Sequence, residues 1–220
     1  MKSQYKYIDT RRINEKGLQQ EFFKKGLLVL VKIERIYLMI LTSKRLYFRE
    51  LDKEDYNYYC SVFSNEQVMK YAFFDCMRDE KELHKGFSEA IELNQAEYSR
   101  REYDFAVFIE DGRKFIGTSL ILISYRGNIQ LNGEIGYFLL PEYWGKGYAT
   151  EVARTMAQYC FENLNLHRVT ASCNINNPNS EHVMKKLGMK KEGEFRKARY
   201  KDGHWDNELR YSILKEEWKY

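Results

Sequence analysis

Residues 133–151 read Gly-Glu-Ile-Gly-Tyr-Phe-Leu-Leu-Pro-Glu-Tyr-Trp-Gly-Lys-Gly-Tyr-Ala-Thr-Glu. They pass from an apolar strand, through a turn carrying Gly145 and Gly147, into an amphipathic helix that starts near Tyr148. Two glycines let the main chain approach a ligand with no side chain between them. A helix start aims unpaired N–H groups and the positive end of its dipole at the same spot. The stretch therefore predicts a seat for an anion, and a phosphate group fits it. Glycines beside a helix start also serve as plain tight turns, so the neighbouring pattern has to decide. A nucleotide-hydrolysing loop needs G-x-x-x-x-G-K-S/T; here Lys146 is followed by Gly147, which excludes it.

The rest of the chain supplies strands and helices around this unit. Leu46, Phe48 and Leu51 alternate in a strand-like run that starts at Met39. A helix is expected from about residue 52–55, and another over 79–99 with Leu83, Phe87, Ala90 and Ile91 as its apolar stripe. Strands are expected at 104–109 and 115–124, joined by a turn at 110–113, and at 132–140. The helix after the glycine turn should reach about Asn163, because Ala149, Val152, Ala153, Met156, Cys160 and Leu164 recur at helical spacing. A strand at 168–173 leads to a helix over 178–187, with Asn177 as N-cap, Pro178 at the first turn and Gly188 past the end. Strands at 190–200 and 205–214 close the chain around the turn Lys201-Asp202-Gly203. The fold class is α/β: a mostly antiparallel sheet of about six or seven strands with one strand–helix–strand crossover, flanked by about four helices.

Charge and cysteine content narrow the function. Of the net charge of +4, residues 1–38 carry nine Lys/Arg against four Asp/Glu, so the remainder is close to neutral. That remainder lacks the concentrated basic surface that phosphate neutralisation demands, which argues against nucleic acid as a partner. Cys60, Cys76, Cys160 and Cys173 form no C-x-x-C pair, and His84, His167, His182 and His204 show no metal-ligand spacing. Reduced thiols, a cytoplasmic location and no metal are expected. The apolar run at 26–31 is far short of a membrane span and lacks signal-peptide features, so neither membrane insertion nor export is expected. The composition change near Met39 divides the chain into a basic extension over 1–38, expected to be translated upstream sequence, and a domain over 39–220.

With these pieces in order, the chain resembles the GNAT superfamily of acyl-coenzyme-A-dependent N-acetyltransferases. Trp144-Gly145-Lys146-Gly147-Tyr148-Ala149 occupies that family's Q/R-x-x-G-x-G/A pattern, in the form typical of its RimJ/RimL-type branch, the ribosomal-protein N-terminal acetyltransferases and their relatives. Thr42-Ser43-Lys44-Arg45-Leu46 is similar to the branch's T-x-R-L. Asn177 and Ser180, followed by Val183, Lys186, Leu187, Gly188 and Met189, are similar to N-x-x-S-x-x-V-x-x-K-L-G-F, and Glu192-Gly193 through Trp218 to its C-terminal pattern.

The resemblance implies a GNAT-like fold and acetyl-CoA as co-substrate. It implies that main-chain amides of Trp144, Gly145, Lys146, Gly147, Tyr148, Ala149 and Thr150 hold the coenzyme's diphosphate. The strand ending at Leu139 and Leu140 would pair with the pantetheine amides, and Asn177 and Ser180 would face the coenzyme. The acceptor would be an amine, either a small molecule or a protein N terminus; a homodimer is compatible with it. Trp144 departs from the superfamily's Gln/Arg, which matters little where the contacts are backbone.

The chemistry sets the remaining roles. A protonated amine cannot attack a thioester until a base removes a proton, and Glu134, ten residues before Trp144, is the candidate. The tetrahedral oxyanion needs a donor such as a strand N–H. Relatives often take the acid from a tyrosine at the position of Met184, which methionine cannot replace; Ser180 is the substitute. The missing acid tyrosine points towards the alternative, a non-catalytic acyl-CoA-binding sensor or interaction domain, while Glu134 and the intact loop point to the enzyme. Arg196 and Asp206 are expected to form a structural ion pair between adjacent strands.

Overall fold

The computed structural model describes residues 29–33, 36–94, 100–109, 114–127 and 129–219, with side chains from Leu41 onward. Among these the chain forms one nine-stranded sheet in the order β1-β2-β3-β4-β5-β6-β7-β9-β8. The strands are β1 (Val29–Ile33), β2 (Ile36–Thr42), β3 (Leu46–Glu50), β4 (Glu102–Ile109), β5 (Lys114–Arg126), β6 (Ile129–Leu139), β7 (Arg168–Asn174), β8 (Lys190–Lys201) and β9 (His204–Leu214). Every neighbouring pair is antiparallel except β6 and β7.

The sequence predicts six or seven strands, and the difference lies at the N-terminal edge. The run expected as a single strand from Met39 to Leu51 folds at Ser43, whose N–H donates to the Leu46 carbonyl at 2.9 Å, so it becomes β2 and β3. The apolar residues 29–31 pair against β2 as an additional edge strand. β2 itself runs across position 39, and residues 1–28 lie outside the described set.

Among the described residues five α-helices cover the two faces: α1 (Tyr56–Phe63), α2 (Glu66–Met69), α3 (Glu80–Asn94), α4 (Tyr148–Glu162) and α5 (Pro178–Lys186). The short α2, capped by the Asn65 side chain, has no counterpart among the helices expected from the sequence. β4 explains why the sheet needs helices on both sides. Its residues from Asp104 to Ile109 are all buried. Successive side chains on a strand point to opposite faces. Phe105, Val107 and Ile109 join the core under α4, with Val152, Met156 and Cys160; Ala106 and Phe108 join the core under α1 and α3, with Val62, Phe87 and Ile91. Helix α3 ends at Asn94, and the expected continuation at 95–99 lies outside the described residues. The Lys201-Asp202-Gly203 turn closes tightly, with Lys201 opposite His204 and positive φ at both Asp202 (47°) and Gly203 (82°), the pattern of a type I′ hairpin.

The expected Arg196–Asp206 pair is corrected. Arg196 falls in a bulge between Phe195 and Arg199, where Asn207 Oδ1 accepts from the Lys197 N–H at 2.9 Å. Asp206 instead accepts from Asn174 at 2.8 Å. The ion pairing of this hairpin centres two residues beyond Asp206, on the fully buried Glu208 between Arg199 and Arg210.

At the start of β4, Asp104 is buried, and its Oδ2 has no hydrogen-bond partner among the described residues. Burial, and then the charge of neighbouring Glu102, hold its carboxyl well above the usual carboxylate range, with Arg100 pulling the other way. Between the ordinary aspartate range and this raised value the folded protein thus keeps a proton that the unfolded chain releases. The stability this group contributes is complete below the ordinary aspartate range and is lost as pH rises through the raised folded value. Asp104→Asn leaves the main-chain bonds to Asn94 in place and is expected to stabilise the protein at neutral pH by about 1 kcal/mol while flattening this pH dependence. Urea melts of both proteins at acidic and neutral pH measure it; parallel curves would show that Asp104 does not titrate with folding.

Candidate active site

The site is built where β6 leaves the sheet. β6 and β7 register at only two positions, Gly133 with Val169 and Glu134 with Thr170. Beyond Glu134 the two parallel strands part, so one edge of β6 carries no ladder partner from β7 over Ile135 to Leu139. An unpaired strand edge offers alternating N–H and C=O groups to any extended ligand carrying amides.

At the end of β6 the chain turns through Pro141–Tyr143 into the glycine loop. Gly145 and Gly147 have φ of 72° and 79°, left-handed values that carry little cost only for glycine. An added Cβ at Gly145 would meet nothing within 4 Å, so the loop's outer surface is open. Gly147 is the N-cap of α4 and supplies no capping side chain. The first helical bond runs from the Glu151 N–H to the Gly147 carbonyl at 3.2 Å. The amides of Tyr148, Ala149 and Thr150 therefore have no partner within the helix, and they sit at the positive end of its dipole. This arrangement suits a diphosphate.

Two of the loop's larger side chains turn back on the protein. Trp144 donates its indole N–H to the Leu139 carbonyl at 2.6 Å, and Lys146 donates to the Glu142 carbonyl at 2.8 Å. Trp144 thus braces the end of β6, a role its exposure of 48% would hide. Leu139 is buried in the α4 core, and Leu140, half-buried, bonds to the Ile116 carbonyl at 2.9 Å.

Across the fork stands α5. Asn177 Oδ1 accepts from the Ser180 N–H at 3.1 Å, the N-cap bond the sequence predicts. The Ser180 hydroxyl meets the Tyr137 hydroxyl at 3.1 Å, joining the free part of β6 to the first turn of α5. Burial pushes the Tyr137 phenol up to about 12, opposed by its hydrogen bond with Ser180, so it stays protonated at neutral pH. Met184 is 1% exposed and packs as core. Tyr137 is a site residue that sequence reasoning missed; its place in the alternation of β6, on the face that packs on α4, was the available signal.

Glu134 occupies the last position at which β6 pairs with both neighbours, opposite Leu122 and Thr170. It is half-buried, and among the described residues no hydrogen bond or ion pair engages its carboxylate. By strand alternation it lies on the face opposite Tyr137 and Ser180. That face also carries Phe138, whose ring packs 5.5 Å from Phe63 and 6.1 Å from Phe74. The structure thus brings Ser180 to Tyr137 and Asn177, and sets Glu134 apart from them on the other side of the sheet.

Comparisons with known proteins agree with this geometry. The acetyltransferase (GNAT) domain family matches residues 45–190. The uncharacterized N-acetyltransferase YnaD of Bacillus subtilis (strain 168) is 36% identical over 180 residues, covering 82% of this chain and 99% of that protein. The spermidine N(1)-acetyltransferase of Escherichia coli (strain K12) is 29% identical over 171 residues, 77% of this chain and 86% of that protein. The crystal structure of a GNAT-family acetyltransferase from Bacillus anthracis superposes with a TM-score of 0.68 at 29% identity, over 81% of this chain and 100% of that one. The parted strands, the glycine loop and the matched family together place this chain among the GNAT acetyltransferases, enzymes that take their acetyl group from acetyl-CoA.

Proposed function

We propose that the chain acetylates a primary amine by direct attack on the acetyl-CoA thioester, with Glu134 as the base. The observation that carries this reading is the position of Glu134: a carboxylate that no described residue engages, at the point where β6 and β7 part. The coenzyme supplies an acyl group on a good leaving sulfur. The chain's own residues do the rest.

The amides from Gly145 to Thr150 take the diphosphate, and the open edge of β6 takes the pantetheine amides as an added strand would. Asn177 and Ser180 face the coenzyme from α5. Glu134 accepts the proton of the incoming ammonium, directly or through water, so that the nitrogen lone pair is free for attack. A β6 N–H donates to the tetrahedral oxyanion. As the carbon–sulfur bond breaks, its electron pair stays on sulfur, and the Ser180 hydroxyl, steadied by Tyr137, donates a hydrogen bond to that thiolate. Attack and departure thus draw on groups from opposite faces of the sheet.

The amine is a small molecule or a protein N terminus. The Escherichia coli relative is named for spermidine, which makes a polyamine one acceptor to test. The test is free-thiol release from acetyl-CoA by the full chain with spermidine, amino acids, an aminoglycoside and a peptide with a free N terminus. Thiol release that depends on one of these amines supports the reading. Coenzyme binding with no acceptor-dependent release from the whole panel would sink it.

A further inference from the structure

Gly145 and Gly147 give the loop the freedom to wrap an anion, but the same freedom leaves the direction of its amides unfixed. Something outside the loop must hold it, because Gly147 has no side chain to cap α4. A single residue from the β2–β3 turn reaches its second half and the start of α4. Arg45 Nε donates to Glu151 Oε2 at 2.7 Å, and its Nη1 donates to the Lys146 carbonyl at 3.1 Å. Its guanidinium lies 4.5 Å over the Tyr148 ring, and its Nη2 is the atom nearest to where a Gly147 Cβ would stand, at 3.6 Å. One planar fork therefore touches the residues on both sides of Gly147 and the first turn of α4.

Glu151 completes the arrangement from the helix side. Its Oε1 accepts from the Ser43 hydroxyl and from the Arg45 N–H, both at 2.8 Å. The carboxylate suits the helix N-terminus, yet it stands in the same turn as the amides that would meet a phosphate, and Arg45 offsets its charge there.

We propose that Arg45 and Glu151 are positioning residues for the coenzyme: together they fix the direction of the loop amides from Gly145 to Thr150, and the affinity for the diphosphate depends on them. The inference rests on the diphosphate seat of the proposed function. It adds that the anion-binding loop is set from the β2–β3 turn, about a hundred residues away in sequence. Arg45 is 44% exposed at its side chain, so truncating it costs the fold little, whereas Glu151 is 15% exposed and also holds the Ser43 hydroxyl and the Arg45 N–H; the Arg45 variants therefore carry the binding test. A charge-assisted, two-armed contact of this kind is specific to the guanidinium shape, which a lysine ammonium does not reproduce.

The experiment measures coenzyme A binding by calorimetry, with thermal midpoints alongside, for the full chain and for Arg45→Ala, Arg45→Lys and Glu151→Gln. Arg45→Ala is expected to raise Kd about tenfold, the effect of losing roughly one charge-assisted bond. Its thermal midpoint should stay within a few degrees of the parent's. Arg45→Lys should resemble Arg45→Ala, and Glu151→Gln should weaken binding in the same direction. With a suitable acceptor, the loss should appear in the KM for acetyl-CoA far more than in kcat. Full rescue by lysine would mean that charge alone matters and would overturn the brace. Unchanged Kd in Arg45→Ala, or a Kd loss matched by a collapse of the fold, would overturn it too. If the parent chain binds no coenzyme A at all, the diphosphate seat fails and the brace with it.

Discussion

Glu134→Gln is expected to lower turnover by about a hundredfold to ten-thousandfold, the usual contribution of a positioned base, with little change in coenzyme affinity. Gln keeps the size and the hydrogen-bonding reach of Glu but cannot hold a proton taken from an ammonium. The parent position makes the test clean, since no described partner engages the carboxylate and the substitution breaks no ion pair. Binding should survive because the groups assigned to the coenzyme, the main-chain amides of the loop, the β6 edge beyond Glu134, and Asn177 and Ser180 on α5, do not include Glu134. Steady-state kinetics across pH, with calorimetry on the same protein, separate the two effects. The loss of turnover should persist at every pH at which the protein is folded. A variant with parental turnover throughout would remove Glu134 as the base and leave the role to another group or to solvent.

Gly117→Ala is expected to be the most damaging single methyl in the fold, costing about 3–5 kcal/mol from overpacking and backbone strain combined. Gly117 sits in β5 opposite Leu139 with φ of 151°. A Cβ there would lie 2.1 Å from the Phe138 carbonyl oxygen and 2.8 Å from the Leu139 Cα, both of them backbone with no rotamer to yield. The end of β6 must shift, and with it the strand that leads into the glycine loop. The thermal midpoint should fall by roughly 10 °C for a chain of this length, and coenzyme affinity should fall in the protein that remains folded. Gly203→Ala is the internal comparison. It has positive φ as well, but its Cβ would meet nothing within 4 Å, so only a backbone cost of about 1 kcal/mol is expected. Equal melting losses in the two variants would show that close contact with β6 is not what makes Gly117 hard to replace.

Much of this site is legible in the sequence because its parts are local. The strand, turn and helix over residues 133–151 announce themselves by periodicity and glycine, and Asn177-Pro178 marks the start of α5 by side-chain chemistry that needs no tertiary partner. Glu134 is readable for the same reason, being at a fixed distance from the loop along one strand. The parts that escape are contacts between segments far apart in the chain. Nothing local in Thr42-Ser43-Lys44-Arg45 says that Arg45 lies on Glu151 and Lys146, and only the alternation of β6 hints that Tyr137 turns towards Ser180. The misplaced Arg196–Asp206 pair has a similar cause. A bulge between Phe195 and Arg199 shifts the pairing of β8 and β9, and a register shift of that kind leaves no mark in residue spacing. The β2–β3 fold at Ser43 escaped because the alternation continues past it on both sides, and hydropathy does not record a reversal of direction.

The parting of β6 from β7 has a bearing on how such enzymes diversify. What the gap presents to an extended ligand is the peptide unit, which every residue type carries, so mutation can rewrite side chains along the gap without erasing its hydrogen-bonding row. In the proposed binding mode the acyl donor is thus held by groups that substitution leaves in place, while a contact made to the acceptor by side chains is not.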